Sequence, residues 1–362
     1  MSYPLIILGA GASYDYSQMG ELGELSPLTN DLVSRKHIQQ DLLQTYSGVG
    51  VIMSTIIQQV TSGVRSFEEA LTKLRDSSAG SLITQSHFVG LEFYLQKFFH
   101  RISTNDDISH NARLMHGINN YKSLFNKIDM HSAGKACLVT FNYDSLLERN
   151  LPVNNIKRMN DYVNGDKKII KLHGSHDWTY IQRKDSFFFG REFQDGYELC
   201  CKEPSFLQKI KETNPPIILS EIESHSESRD FFKFPALAIP LSGKDKFLCP
   251  VTHVNSLKEE LNCIDRILII GWKAGDPWLL NLLKEHNTCK NKKILIVSGS
   301  STGAQEVAKV LKSSLGVNPK QVECYEGGFT RFMGDDLCTD FFSTDAILNL
   351  KKISLQTSQI SQ

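Results

Sequence analysis

None of the eight cysteines stands in a C-x-x-C pair, and two are adjacent at Cys200 and Cys201. That pattern is neither a disulfide framework nor a zinc ribbon, and it reads as reduced thiols in a cytosol. Charge of one sign is also missing, with 40 Lys and Arg against 40 Asp and Glu. No overall field then draws the chain to phosphate backbones or anionic membranes, so no direct nucleic-acid binding and no membrane association are expected. Long apolar runs are absent too. The longest, around Val49 to Val60 and Ile264 to Trp272, are short or broken by polar residues, well below the ~20 needed to span a bilayer. Met1-Ser2-Tyr3-Pro4 runs straight into Leu5-Ile6-Ile7-Leu8 and glycine, which reads as a core strand and not as a signal peptide. A soluble, cytoplasmic protein is the expectation. No internal repeat and no low-complexity tract is present.

What remains is an ordinary globular composition over 362 residues. At about 150 residues per domain, that length means two packed regions or one large domain with an insertion. The run Leu5 to Leu8, ended by Gly9-Ala10-Gly11-Ala12-Ser13, suits a strand buried on both faces and its exit turn. From Pro27 to about Lys127 the spacing of Leu28, Leu32, Leu42, Leu43, Val51, Ile52, Ile56 and Ile57 is helical. Within it Ser66 and Glu69 form a capping box that opens a helix at Phe67. Strand-like runs return at 136–141, 168–172, 236–240, 266–270 and 293–297, the rhythm of a parallel sheet. Residues 302–315 read as an amphipathic helix, with Thr302 and Gln305 as a second capping box and Gly316 as its stop. Residues 179–235, rich in charge and aromatics, read as a surface elaboration.

The fold expected is therefore α/β: a Rossmann-like parallel sheet with helices on both faces and an inserted helical region. The sheet domain takes residues 1–27 and 128–345, the helical insertion 28–127, and a polar C-terminal tail 346–362.

Four strand ends carry polar or glycine residues. Gly9-Ala10-Gly11 would let a phosphate approach backbone amides at a helix start. A full dinucleotide fingerprint would want glycine where Tyr14 stands, and Asp31 lies in helical sequence. A tight turn that binds nothing is the alternative. Asn142 and Asp144, after Cys137 to Val139, are placed to reach a crevice beyond a strand's carboxyl end; equally, they could cap the following helix. His173, at the end of Ile169 to Leu172, can accept a proton near neutral pH or serve simply in packing. His173, His176 and Asp177 lack further ligands for a metal set. Finally Ile267 to Gly271 and Ile294 to Ser298 also end on glycine or serine. Four such ends on one edge of one sheet make the geometry of a nucleotide crevice.

Taken in order, Gly9-Ala10-Gly11-Ala12-Ser13, Phe141-Asn142-Tyr143-Asp144, Lys171-Leu172-His173-Gly174 and Ile269-Ile270-Gly271-Trp272 resemble the silent-information-regulator (sirtuin) superfamily. More narrowly, the chain looks like the sirtuin-like NAD-hydrolysing domains of bacterial antiphage systems. The resemblance runs from residue 5 to about 335, specific only at the motif strands. It implies that Gly9, Ala10, Gly11 and Ser13 hold the NAD pyrophosphate and neighbouring ribose. It further implies that Asn142 contacts the nicotinamide ribose and its water, that Asp144 contacts the carboxamide and that His173 is the base. Gly271 and Ser298 would frame the adenosine end, with Gly328 and Phe329 beside adenine.

Two departures bear on the activity. Acetyl-lysine-removing sirtuins carry Gly-Ile-Pro-Asp-Phe-Arg after the glycine loop, where this chain has Ser26-Pro27-Leu28-Thr29. They also carry a zinc module of two C-x-x-C pairs, absent here, so no zinc is expected and the peptide cleft lacks one wall. The resemblance thus implies an NAD glycohydrolase yielding nicotinamide and ADP-ribose, in an abortive-infection role. A protein deacylase or ADP-ribosyltransferase, and a non-catalytic NAD-sensing subunit, are the alternatives. Control of such an activity is expected to come from homo-oligomerisation and a separate protein regulator, such as a HerA-type ATPase or translocase.

Overall fold

The computed structural model describes residues 2–17, 26–34, 36–78, 80–116 (backbone alone from 105), 119–152, 156–184, 195–223, 230–241 and 247–343. The expected C-terminal tail lies outside the described residues. The chain opens with β1 (Tyr3–Leu8) and α1 (Ala10–Ser17), then turns helical through α2 (Gln40–Thr45), α3 (Ser47–Thr61), α4 (Phe67–Ser77), α5 (Leu82–His116) and α6 (Asn120–His131). Next come β2 (Ala136–Thr140), α7 (Leu146–Arg149), β3 (Lys167–Lys171), β4 (Gly174–Arg183), α8 (Gly196–Lys202), α9 (Ser205–Thr213), β5 (Ile217–Ile218), α10 (Leu219–Glu223) and β6 (Phe231–Leu237). The last part comprises α11 (Val251–Glu260), β7 (Ile264–Ile270), α12 (Pro277–Glu285), β8 (Lys293–Val297), α13 (Ser301–Leu315), β9 (Val322–Tyr325), α14 (Gly328–Met333) and α15 (Asp336–Phe342).

Six strands form one sheet in the order β3-β2-β1-β7-β8-β9, every pair parallel. With helices packed around it, this is the Rossmann-like α/β fold. Its centre is the most apolar run in the sequence: Leu5, Ile6, Ile7 and Leu8 are fully buried, and each contributes roughly 1.5–3 kcal/mol by leaving water. Leu5 lies opposite Cys137 on one side and Ile267 on the other, so β1 is shielded on both edges. From β1 the chain builds outward through β2 and β3 in one direction and through β7, β8 and β9 in the other. The order reverses between β1 and β7, and just beyond the carboxyl ends of such a pair an open sheet leaves a crevice.

The chain between β1 and β2 supplies the cover for that crevice. Ser66 Oγ accepts from Glu69 N–H while the Glu69 carboxylate accepts from Ser66 N–H, the reciprocal box expected at the start of α4. Phe67, fully buried, anchors that first turn, so Glu68 beside it stands at a fixed place. No helix among the described residues is long and apolar enough to cross a membrane.

Three local expectations are corrected. The run at 236–240 belongs to no parallel sheet: β6 pairs antiparallel with β4 in a separate three-stranded sheet, β5-β4-β6. A short apolar run carries no signal of strand direction, which pairing alone decides. That second sheet also makes 179–235 more than a surface elaboration, since Tyr180, Leu199, Leu207 and Phe234 are buried core residues. At α13 the cap is Ser300, whose Oγ accepts from Gly303 N–H, not the Thr302–Gln305 box. Gly316 does end that helix, in the left-handed conformation at φ 64°.

Candidate active site

The glycines at the switch point are required by contact. A Cβ on Gly9 would lie 2.5 Å from the Gly271 carbonyl oxygen, and one on Gly271, at φ +61°, would lie 2.5 Å from Ala12 N. Gly11 N–H donates to Gly271 O at 3.1 Å, Gly9 N–H to Ile270 O at 3.0 Å, and Ala12 N–H to Gly9 O at 2.9 Å. The turn into α1 is thus sewn to the exit of β7 by two of its amides, Gly9 and Gly11, while a third, Ala12, closes the turn on itself. Expected as a phosphate cradle, the loop serves first as a close-packed joint. Gly9, Ala10, Gly11 and Gly271 nevertheless line the pocket beside it.

Beyond β2 the chain turns sharply. Asn142 N–H donates to Thr140 Oγ1 at 3.1 Å, and Asn142 Nδ2 donates to Ser13 Oγ at 2.9 Å. Ser13 Oγ also shares a hydrogen bond with Tyr121 OH at 3.0 Å. The amide nitrogen of Asn142 therefore faces α1, and the amide oxygen is the end left to the pocket that Asn142 lines. Asn142 caps no helix. Asp144 does: its Oδ1 accepts from Leu146 N–H at 3.1 Å at the start of α7, while the residue still borders the pocket.

A buried framework holds this turn from behind. Lys171, 1% exposed, donates to the Asp144 carbonyl and to Glu148 Oε1 at 2.7 Å. Tyr162 OH donates to the same Glu148 oxygen, and Trp178 Nε1–H to Tyr162 OH. Burial pushes the Glu148 carboxyl up, against the pull of Lys171. His176 N–H and Ser175 Oγ both donate to the Tyr143 carbonyl, and His176 Nε2 meets Ser145 Oγ at 3.1 Å. Burial drives the His176 imidazole down to about 3, so it stays neutral.

His173 sits at the end of β3, one residue before a glycine that the fold demands. Gly174 has φ +77°, and a Cβ there would fall 2.0 Å from the Ala236 carbonyl oxygen. The ring of His173 stands edge-on to Phe141, centroids 5.0 Å apart at 73°. Phe141 in turn stacks on Trp272 at 5.3 Å and 4°. His173 Nε2 lies 3.1 Å from Asp276 Oδ2. His176 and Asp177, adjacent in sequence, share no metal set with His173, and no group of three or more possible metal ligands occurs among the described residues.

The pocket formed by these elements measures about 160 Å³. It is smaller than the roughly 300–1,000 Å³ of most small-molecule sites. Its charged and titratable lining is Glu68 from α4, Asp144 after β2, His173 after β3, and Lys273 and Asp276 after β7. Among the described residues that line it, three carboxylates stand against one lysine, which favours a ligand carrying local positive charge.

Of the residues singled out in the sequence, Gly9, Ala10, Gly11, Asn142, Asp144, His173 and Gly271 come together at this pocket. Ser13 does not line it and acts on Asn142 instead. Ser298 and Phe329 lie elsewhere. Ser298 N–H donates to Tyr325 O and its carbonyl accepts from Gly328 N–H, which ties β8 to β9 and α14. Phe329, 1% exposed, packs edge-on against Tyr121. The start of α14 is filled by the chain's own carboxylate, since Asp15 Oδ2 accepts from Thr330 N–H. Reading the sequence missed Glu68, Trp272, Lys273 and Asp276. For Asp276 the signal was Asp before Pro at the head of a helix, six residues past a strand end; Glu68 looked like an ordinary acidic residue in a first helical turn.

No protein-family model matches the chain, and no curated protein matches it by sequence. Among solved structures it is similar to a mutant Sir2 homologue in complex with 2′-O-acetyl ADP ribose, at 12% identity and TM-score 0.43, over 92% of this chain and 89% of that one. A Sir2 homologue mutant–ADP ribose complex is similar at 14% identity and TM-score 0.41, over 96% and 94% of the two chains. A Sir2 homologue–NAD complex is similar at 12% identity and TM-score 0.40, over 92% and 87%. The class of protein rests on the chain's own sheet: a Rossmann-like α/β protein with a polar pocket at its switch point.

Proposed function

We propose that this chain is an NAD glycohydrolase, cleaving the nicotinamide–ribose bond of NAD to give nicotinamide and ADP-ribose. The observation that carries the reading is that Asn142 and His173, from the carboxyl ends of adjacent parallel strands, line one pocket at the switch point. The sirtuin resemblance of the four motifs supports it.

The chemistry asks little of the protein. The C1′–N bond breaks with its electron pair passing to the pyridinium nitrogen, so nicotinamide leaves neutral and needs no strong general acid. Water forms the new bond to C1′ and gives up one proton, which His173 accepts. Between these events the ribose carries oxocarbenium-like charge. The Asn142 amide oxygen and the carboxylates of Asp144, Glu68 and Asp276 present negative potential toward both the pyridinium and that cation. Phe141 and Trp272 supply aromatic faces to the pocket. An abortive-infection role, in which loss of NAD stops an infected cell, belongs to the same proposal.

The test is incubation of the full chain with NAD and no acylated peptide, with products identified by mass. Nicotinamide and ADP-ribose in equal amounts are expected, and His173→Ala should reduce single-turnover release by about 10²-fold or more without unfolding the protein. Release by His173→Ala within tenfold of the parent would remove His173 from the chemistry. A strict need for acylated peptide would make the protein a deacylase.

A further inference from the structure

We propose that Asp276 is the positioning residue for His173, fixing which ring nitrogen carries the proton and stabilising the ring once it has accepted a second. The inference deepens the glycohydrolase reading and rests on it for its catalytic meaning.

Asp276 is held at both carboxylate oxygens. Oδ1 accepts from Leu279 N–H at 2.8 Å as the N-cap of α12, and Oδ2 meets His173 Nε2 at 3.1 Å. Pro277 follows at the first helical position, and Leu279, Leu280, Leu282 and Leu283 bury α12 against the body of the protein. The carboxylate is therefore anchored by a packed helix, with side-chain exposures of only 9% for Asp276 and 15% for His173. Either role alone could be served by other residues. Capping needs only a side-chain oxygen, and Ser, Thr or Asn would provide one.

The second oxygen has a different consequence. An ionised carboxylate only accepts hydrogen bonds, so the ring nitrogen facing it must carry hydrogen. In the neutral imidazole the proton thus sits on Nε2, and Nδ1 holds the basic lone pair. When the ring takes up a proton, the adjacent carboxylate offsets the new charge, as in an Asp–His pair of a hydrolase triad. Other charged and titratable groups around the pocket are Lys273 after β7, Asp144 and Tyr143 after β2, and Glu68 from α4. None of these is hydrogen-bonded to the His173 ring through Nε2; Asp276 is.

Asp276→Asn and Asp276→Ser both retain a capping oxygen and remove the charge, so helix α12 should persist in each. In the full chain, nitrogen-15 NMR of histidine, with His173→Ala to assign the signal, should show the parent ring protonated at Nε2 when neutral. In both variants that ring should titrate at lower pH than in the parent. For NAD cleavage, kcat should fall about 10²-fold with KM within threefold, and the acid limb of the kcat profile should move to lower pH. An unchanged His173 tautomer and titration, or kcat within threefold of the parent, would overturn the proposal. If no variant and no parent cleaves NAD while the titration still shifts, the His–Asp pair stands and the glycohydrolase reading falls.

Discussion

Gly174 has no room for a side chain, and the reason is backbone. Its φ of +77° lies where L-residues are strained, and Ala236 O occupies the space a methyl would need. Gly174→Ala should destabilise the protein by at least about 2 kcal/mol, seen as a lower chemical-denaturation midpoint; an unchanged midpoint would mean that the β3–β4 turn relaxes freely. The pairing His-Gly was visible in the sequence as a motif, but its cause was not, because the close approach comes from β6, some sixty residues on. The same limit applies at Ser13 and Asn142. Each was recognisable as a polar residue after a strand, whereas their mutual hydrogen bond across 129 positions is a product of β1 and β2 lying side by side. Asp276, four residues past the Ile269–Trp272 motif, is unmarked in the sequence as a site residue, since nothing in one dimension places it opposite His173.

At the scale of elements, the start of β4 carries a pH response. His176 is neutral in the fold, with its imidazole driven down to about 3 by burial, whereas in the unfolded chain it takes up a proton near 6.5. The unfolded state therefore binds the extra proton between these values. The stability is whole above about 6.5 and is lost as pH falls toward 3, by roughly 5 kcal/mol at the limit. His176→Asn should flatten the acid side of the stability profile, measured by urea midpoints from pH 7 to pH 4, even if it lowers stability throughout. A parallel profile in the variant would assign the acid response to other groups. The central strands β1, β2, β7 and β8 were legible because burial on both faces makes them continuous apolar runs, and the edge strand β3 through its buried Ile169-Ile170 pair. The edge strand β9, Val322-Glu323-Cys324-Tyr325, is partly exposed and mixed in polarity, so it left no such signal. β6 was seen but placed in the wrong sheet.

Over the whole molecule, four motifs spread between residues 9 and 272 converge because the strand order reverses between β1 and β7. An enzyme that destroys a universal cofactor must be restrained, and regulation by self-assembly with a separate protein partner, a HerA-type translocase among the candidates, is part of the functional proposal. Light scattering combined with NAD-cleavage assays checks it: a homo-oligomer of conditional activity, raised by the partner, is expected, and full activity from a dilute monomer would count against it. The central claim, that the pocket at the switch point breaks the nicotinamide–ribose bond, is tested most directly through Asn142→Ala. The variant loses one buried hydrogen bond, worth about 1 kcal/mol, and leaves Ser13 paired with Tyr121. Single-turnover nicotinamide release from NAD, measured beside calorimetric Tm, should fall by about 10²-fold or more with NAD affinity largely kept and only a small loss of Tm. Near-parental release with a lowered Tm would show that Asn142 supports the fold alone and would contradict the account.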